Sequence, residues 1–172
     1  MEILIPGLIL VGFMIWASTR IKRNAAKAFE REEIETQGFS ITKPEGFLAP
    51  VDPPDGLLFS AHSKDFGSEE AERIRCASAE LSRFDDAHFD EICERVKTDS
   101  IRIISEQRGV IGERRSTIIV AERSEHDVEV ETSYRIVAGD QAVYQLAVTV
   151  LLGHKEEYSS KVDLFLSSFN LK

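Results

Sequence analysis

The chain opens with seventeen uncharged residues, Ile3 to Thr19, and only after them do apolar and polar side chains begin to alternate. At 1.5 Å per helical residue that run reaches roughly 25 Å, against a hydrocarbon layer of about 30 Å. Arg20 and Lys22 can snorkel to extend it, and Trp16 stands one turn before them, where an interfacial ring belongs. The reading is a transmembrane helix over residues 1–19. A cleaved secretory signal fits less well, because the basic side chains follow the apolar run and no A-x-A site precedes them. Residues 20–38 are rich in helix formers and run from basic to acidic, so the helix is expected to continue as a stalk until Gly38.

Beyond Gly38 the pattern becomes that of a folded body over residues 39–172. Phe39–Lys43 and Leu57–Ser63 read as strands, separated by a Pro- and Gly-rich loop from Pro44 to Gly56. Ser68–Ala71 reads as a helical turn or loop and Arg73–Leu81 as a third strand. Phe89, Ile92, Cys93 and Val96 recur at i, i+3, i+4 and i+7, which predicts a helix to about Lys97, capped by Asp85 or Asp86. Four β segments follow: Ile101–Gln107, Arg114–Ala121, Asp127–Val137 and Ala142–Leu152. In the third, Val128, Val130, Tyr134 and Ile136 face one way, and Glu129, Glu131, Ser133 and Arg135 the other. The fourth is apolar on nearly both faces, so it should be central and covered on both sides. Lys155–Ser168 reads as an amphipathic helix, its stripe running from Tyr158 to Phe169. Short turns force antiparallel pairing, and two helices are available to cover the sheet. The fold class expected is α+β: a mostly antiparallel sheet flanked by helices, an α/β/α sandwich.

Composition refines this reading at two points. Hydrophobic residues make up 42% and charged residues 30%, which suits a folded domain rather than a disordered one. The net charge of −9 is unevenly spread. Residues 1–29 hold Arg20, Lys22, Arg23 and Lys27 against Glu2, a net +3, so the remainder carries −12. A body this acidic is repelled by phosphate backbones, which argues against nucleic-acid binding. Trp16, Arg20, Lys22, Arg23 and Lys27 together form the expected anchor and lipid-facing collar. Positive charge on the C-terminal side of the span orients the N-terminus outside and the folded body in the cytoplasm.

Three stretches carry a resemblance. Phe39-Ser40-Ile41-Thr42-Lys43-Pro44-Glu45-Gly46-Phe47 looks like a strand followed by P-x-G-[FW]. Arg135-Ile136-Val137 to Val143-Tyr144-Gln145-Leu146 looks like a hairpin ending in V-Y-x-L. Phe165 to Leu171 is similar to a closing F-L-x-S-F-x-L helix. Together they resemble bacterial members of the PsbP-like superfamily over roughly residues 39–172. The resemblance implies an α/β/α sandwich and an accessory, assembly or protein-binding role. It transfers no catalytic residue, because the matched stretches are packing motifs.

No chemistry stands out beside it. The four histidines have neither H-x-H nor H-x-x-x-H spacing, and no P-loop, G-x-G-x-x-G or G-x-S-x-G is present. In Asp85–Asp90, His88 points away from the face that Asp86 and Asp90 share, so helix capping explains the cluster better than a metal does. Glu125-His126-Asp127 reads as a hairpin turn. Cys76 and Cys93 read as small buried hydrophobes, with a disulfide between them left open. No catalytic, cofactor or metal residue is assigned, and the chain is not expected to be an enzyme. The candidate partner surface is Arg114, Arg115, Glu129, Glu131 and Arg135, which cross-strand ion pairs would also explain. The leading expectation is a membrane-tethered, non-catalytic accessory, scaffold or protein-binding domain whose partner is another membrane or membrane-associated protein. The alternative is a tethered enzyme or small-ligand binder with a pocket under the 44–56 loop. Lipid sensing by the collar is a third.

Overall fold

Strand alternation decides most of the core. In Leu57–Ser63, Phe59, Ala61 and Ser63 are buried while Ser60 and His62 are half-buried. In Phe39–Lys43, Phe39, Ile41 and Lys43 are buried at the same period of two. The computed structural model describes residues 26–68 and 71–172, together with Met14, Trp16 and Arg20.

The elements are β1 (Glu32–Glu35), β2 (Phe39–Lys43), β3 (Phe47–Leu48), β4 (Leu57–Ser63), β5 (Ala77–Asp85), α1 (Phe89–Thr98), β6 (Arg102–Ile111), β7 (Arg114–Glu125), β8 (Val128–Ala138), β9 (Ala142–Leu151), α2 (Lys155–Ser168) and β10 (Asn170–Leu171). Seven strands form one sheet in the order β3-β4-β5-β9-β8-β7-β6, and β1-β2-β10 form a small second sheet. Every pairing is antiparallel. The doubly apolar strand β9 is the central one of the seven, as its sequence demands.

Helices α1 and α2 cover opposite faces of the main sheet. α1 buries Ile92, Cys93 and Val96 against Ile119, Ala121, Tyr134, Ile136 and Val143. α2 packs on the other face against β2, β9 and β8. Its Tyr158, Phe165 and Leu166 join Phe39, Phe47, Phe59, Leu81 and Leu146 in the larger cluster. Both faces of β8 are therefore used: Ser133 and Val137 are buried along with Tyr134 and Ile136. Cys76 and Cys93 are free thiols in different clusters.

Several sequence expectations change. The transmembrane helix, and with it the cell-membrane location, the outside N-terminus and the cytoplasmic body, is corrected. Among the described residues no helix is long and apolar enough to cross a membrane. The uncharged run lies at the short end of the range that a span requires, about 17–25 residues. Apart from Met14 and Trp16, residues 1–19 lie outside the described residues, as do Lys22 and Arg23. Lipid as a partner of the collar goes with the span. Arg20 holds its guanidinium 5.2 Å from the Trp16 ring centroid, and Lys27 is exposed.

The helical stalk expected up to Gly38 is also different. Glu32–Glu35 is a strand, pairing Glu32 with Lys43 and Ile34 with Ile41. Thr36 closes the turn: its Oγ1 accepts from the Phe39 N–H at 3.0 Å and the Gly38 N–H at 3.3 Å. Ile34 reaches the core cluster as one member of an alternating strand, and that packing overrides the helix propensity of its glutamates.

β5 lies four residues later than expected. Arg75 is drawn out of it by stacking 3.8 Å over the Phe66 ring and by donating to the Lys64 carbonyl at 2.9 Å. β5 then runs on through Arg83, which pairs with Asp85 at 2.7 Å. The expected cap on α1 is absent. His88 occupies the N-cap position without a side-chain bond, Asp85 ends β5, and Asp86 takes a left-handed turn at φ 56°. The Glu125–Val128 hairpin has both central residues left-handed, His126 at φ 51° and Asp127 at φ 65°. That is the geometry of a two-residue primed turn, which Asp and His tolerate better than most side chains.

Burial also sets an alkaline limit on stability. It raises the thiols of Cys76 and Cys93 and the phenols of Tyr134 and Tyr158 above their ordinary values. The folded state thus binds these protons more tightly than the unfolded chain. Their contribution is whole below the unfolded values, about 8.5 for a thiol and 10 for a phenol, and is lost as pH rises through the folded ones. Urea midpoints are expected to hold between pH 7 and 8 and to fall steadily above about pH 9. A midpoint flat to about pH 11 would contradict burial of these four groups.

Candidate functional site

α2 does not reach across the whole sheet. Beyond β8, the face it covers continues over β7 and β6 as an open groove. The floor is Ser105 and Gln107 from β6, Ile118 and Val120 from β7, and Ser133 and Arg135 from β8. The wall is Val162, Asp163, Leu166 and Ser167 of α2, and the space is about 580 Å³. Registers explain the floor: Gln107 lies opposite Ile118, which lies opposite Arg135, so all three share one face. The groove runs on past Gly109 and Ser116, with Arg135 again in its lining. It then opens into a depression of about 540 Å³ beside Arg114, Val137, Asp140 and Leu171.

Arg135 sits at the centre. One guanidinium nitrogen donates to the Leu166 carbonyl in the last turn of α2. Its Nε is buried with no hydrogen-bond partner among the described residues. Burial pushes the guanidinium below the usual arginine value, though an arginine stays charged at any ordinary pH. No carboxylate of the described residues pairs with it. Other arginines are neutralised locally: Arg102 by Glu122, Arg114 by Asp140 at 3.3 Å, and Arg115 by Asp90 at 2.8 Å. A half-buried cation that lacks a counter-ion costs stability unless something anionic completes it.

The five candidate surface residues do not form one patch. Arg115 lies on the α1 side, stacked 4.6 Å over Phe89. Arg114 borders the far end of the groove and Arg135 its middle. Glu131, on the same face as Arg135, bonds Lys155 at the start of α2 at 2.5 Å. Glu129 is exposed opposite Ser124 and makes no ion pair among the described residues. Sequence reasoning missed the groove's polar lining, Ser105, Gln107 and Ser167, which becomes a set only once β6 lies beside β7.

It also missed Lys43, although a signal was there: Phe39, Ile41 and Lys43 form one alternating face. Lys43 is 1% exposed and donates from Nζ to the Ala28 carbonyl at 2.7 Å and the Phe47 carbonyl at 3.1 Å. Among the described residues, Phe47 seats the 44–56 loop on α2. Phe47 packs edge-on against Phe165 at 5.0 Å and Tyr158 at 5.9 Å. Among the described residues no group of three His, Cys, Asp or Glu side chains is placed to hold a metal ion.

No family model and no curated protein matches the chain by sequence. Its fold is similar to that of several solved structures. The solution structure of cyanobacterial PsbP, CyanoP, from Synechocystis sp. PCC 6803 superposes with a TM-score of 0.55 at 10% identity, over 83% of this chain and 92% of that one. The fold is PsbP-like. LpqN of Mycobacterium tuberculosis, described as involved in cell envelope biogenesis, gives 0.58 at 9% identity over 83% and 91%. The Ran-binding protein Mog1p of Saccharomyces cerevisiae gives 0.54 at 11% over 83% and 96%. At such identities the PsbP-like likeness is one of architecture. The stretch Phe165–Leu171, which suggested it, ends here as the last turn of α2 plus β10, which closes the small sheet on Phe39 and Ser40.

Proposed function

We propose that this chain is a non-catalytic accessory domain that binds another protein in the groove between α2 and the outer strands β6–β8. The observation that carries this reading is Arg135, a half-buried cation held in an open groove with no counter-ion among the described residues. An acidic side chain of the partner completes it, while Ile118, Val120 and Val162 supply apolar contact and Ser105, Gln107 and Ser167 supply hydrogen bonds. The partner surface is thus the groove side of the sequence-derived set, Arg135 with Arg114 and Glu131, and leaves Arg115 and Glu129 out. A protein-binding role agrees with the name of one structural neighbour, the Ran-binding Mog1p.

Arg135→Met tests this directly. It keeps a stem of similar length and removes a poorly satisfied charge. Stability is expected to stay level or rise by up to about 1 kcal/mol, as when other half-satisfied buried ions are replaced. Binding is expected to be lost. A photocrosslinker at Ser167, on the groove wall, should give a discrete adduct with the native chain in cells and none with Arg135→Met. An adduct that persists unchanged in the variant would refute the role of Arg135.

A further inference from the structure

β6 ends the seven-stranded sheet, and its residues are exposed from Arg102 to Val110. Among the described residues β7 is its only neighbour, so one row of backbone N–H and C=O groups faces outward along ten residues. The opposite edge strand, β3, has two residues. Long edges are commonly blunted with charge to prevent association. β6 does carry charges in its middle, Glu106 and Arg108, but their order inverts the effect.

Laid antiparallel on its own copy about a two-fold axis through Gln107, the strand sets Glu106 of each copy opposite Arg108 of the other. The same register sets Ile104 opposite Val110, residues that are 42% and 66% exposed in the single chain. No like charges oppose one another within the paired stretch. Glu106 is already positioned on the sheet surface, held 2.9 Å from Lys97 and 2.9 Å from Arg108 of its own chain. The irregularity between Ile103 and Ser105 limits the regular ladder at one end. An isologous contact needs such self-complementarity.

We propose that β6 pairs antiparallel with β6 of a second copy of this chain, giving one continuous sheet across a two-fold axis at Gln107. This contact uses the outer backbone edge of β6, whereas the groove uses the side chains on one of its faces. Because β6 also floors the groove, the two copies' grooves then lie on one face.

The test is sedimentation of the full chain over a dilution series, with charge swaps. Arg108→Glu alone and Glu106→Arg alone each place like charges opposite one another at two points, and each should weaken the dimer about tenfold or more. The double variant, Glu106→Arg with Arg108→Glu, should restore it. A Gln107→Cys chain should crosslink to itself under mild oxidation, since directly opposed residues bring their Cβ atoms to within about 1 Å of the separation a disulfide takes. The native thiols are buried and do not compete. Circular dichroism melts confirm that each variant is folded. A chain that stays monomeric without the crosslink, or a dimer indifferent to both single swaps, overturns the proposal.

Discussion

Phe165→Ala is expected to lower the free energy of unfolding by about 3–5 kcal/mol, the largest loss of any single truncation considered for this chain. The Phe165 side chain is 0% exposed. Its ring meets Phe47 edge-on at 5.0 Å and 82° and lies tilted on Phe59 at 6.2 Å. Phe47 belongs to the loop strand β3 and Phe59 to β4, so one ring on α2 binds the helix to the loop and to the outer half of the main sheet. Removing it takes away the transfer energy of the ring and leaves a cavity between three elements that cannot all close on it. Asp163, two residues earlier on the same helix, is exposed, and Asp163→Ala is expected to change stability by less than about 0.5 kcal/mol. Urea denaturation of both variants checks the contrast. Equal losses would mean that α2 is not anchored through Phe165.

The second large effect falls on Lys43. Lys43→Ala is expected to cost about 3 kcal/mol, and Lys43→Met about half of that. The stem fills space in the core, and the ammonium group donates to the carbonyls of Ala28 and Phe47, with Glu32 at 3.5 Å on the solvent side. Methionine keeps the stem and forfeits the bonds; alanine forfeits both. The ammonium also has a mechanical role. Ala28 precedes β1, so Lys43 fastens the segment leading into the body onto β2, next to a second bond from the Gly46 N–H to the Phe29 carbonyl at 2.8 Å. Both variants should therefore become more sensitive to trypsin at Arg31 than their global stability alone accounts for. A Lys43→Ala chain with an unchanged midpoint and unchanged cleavage would show that the buried ammonium holds nothing.

The two predictions address different parts of one design. Phe165 joins the layers of the PsbP-like body, while Lys43 closes its beginning. Neither residue lines the groove, so both variants should retain the Ser167 adduct as long as they are folded. Arg135→Met should do the reverse, keeping the fold and losing the adduct. Stability and binding are separable here because the groove lies where α2 has stopped covering the sheet.

Much of the architecture was legible from local pattern. Leu57–Ser63 and Lys155–Ser168 fall where periods of two and of helical repeat place them, with the bounds expected. β9 occupies the middle of the sheet because Val143, Leu146, Val148 and Val150 leave neither of its faces suited to water. Periodicity reports which side of an element must be dry, and that is a property of a few neighbouring residues. Tertiary structure alone decided the rest. β1 became a strand because β2 was there to pair with it. β5 slid because Phe66 captured Arg75, and β10 formed only where the end of α2 met Phe39. The apolar opening read as a span, but no described helix bears that out. The groove is the clearest case. Arg135 looked like one charge in an alternating row, and only the placement of the acidic side chains among the described residues left it without a counter-ion there. How far a fourteen-residue helix reaches across seven strands depends on contacts between residues distant in the chain, which no local period encodes.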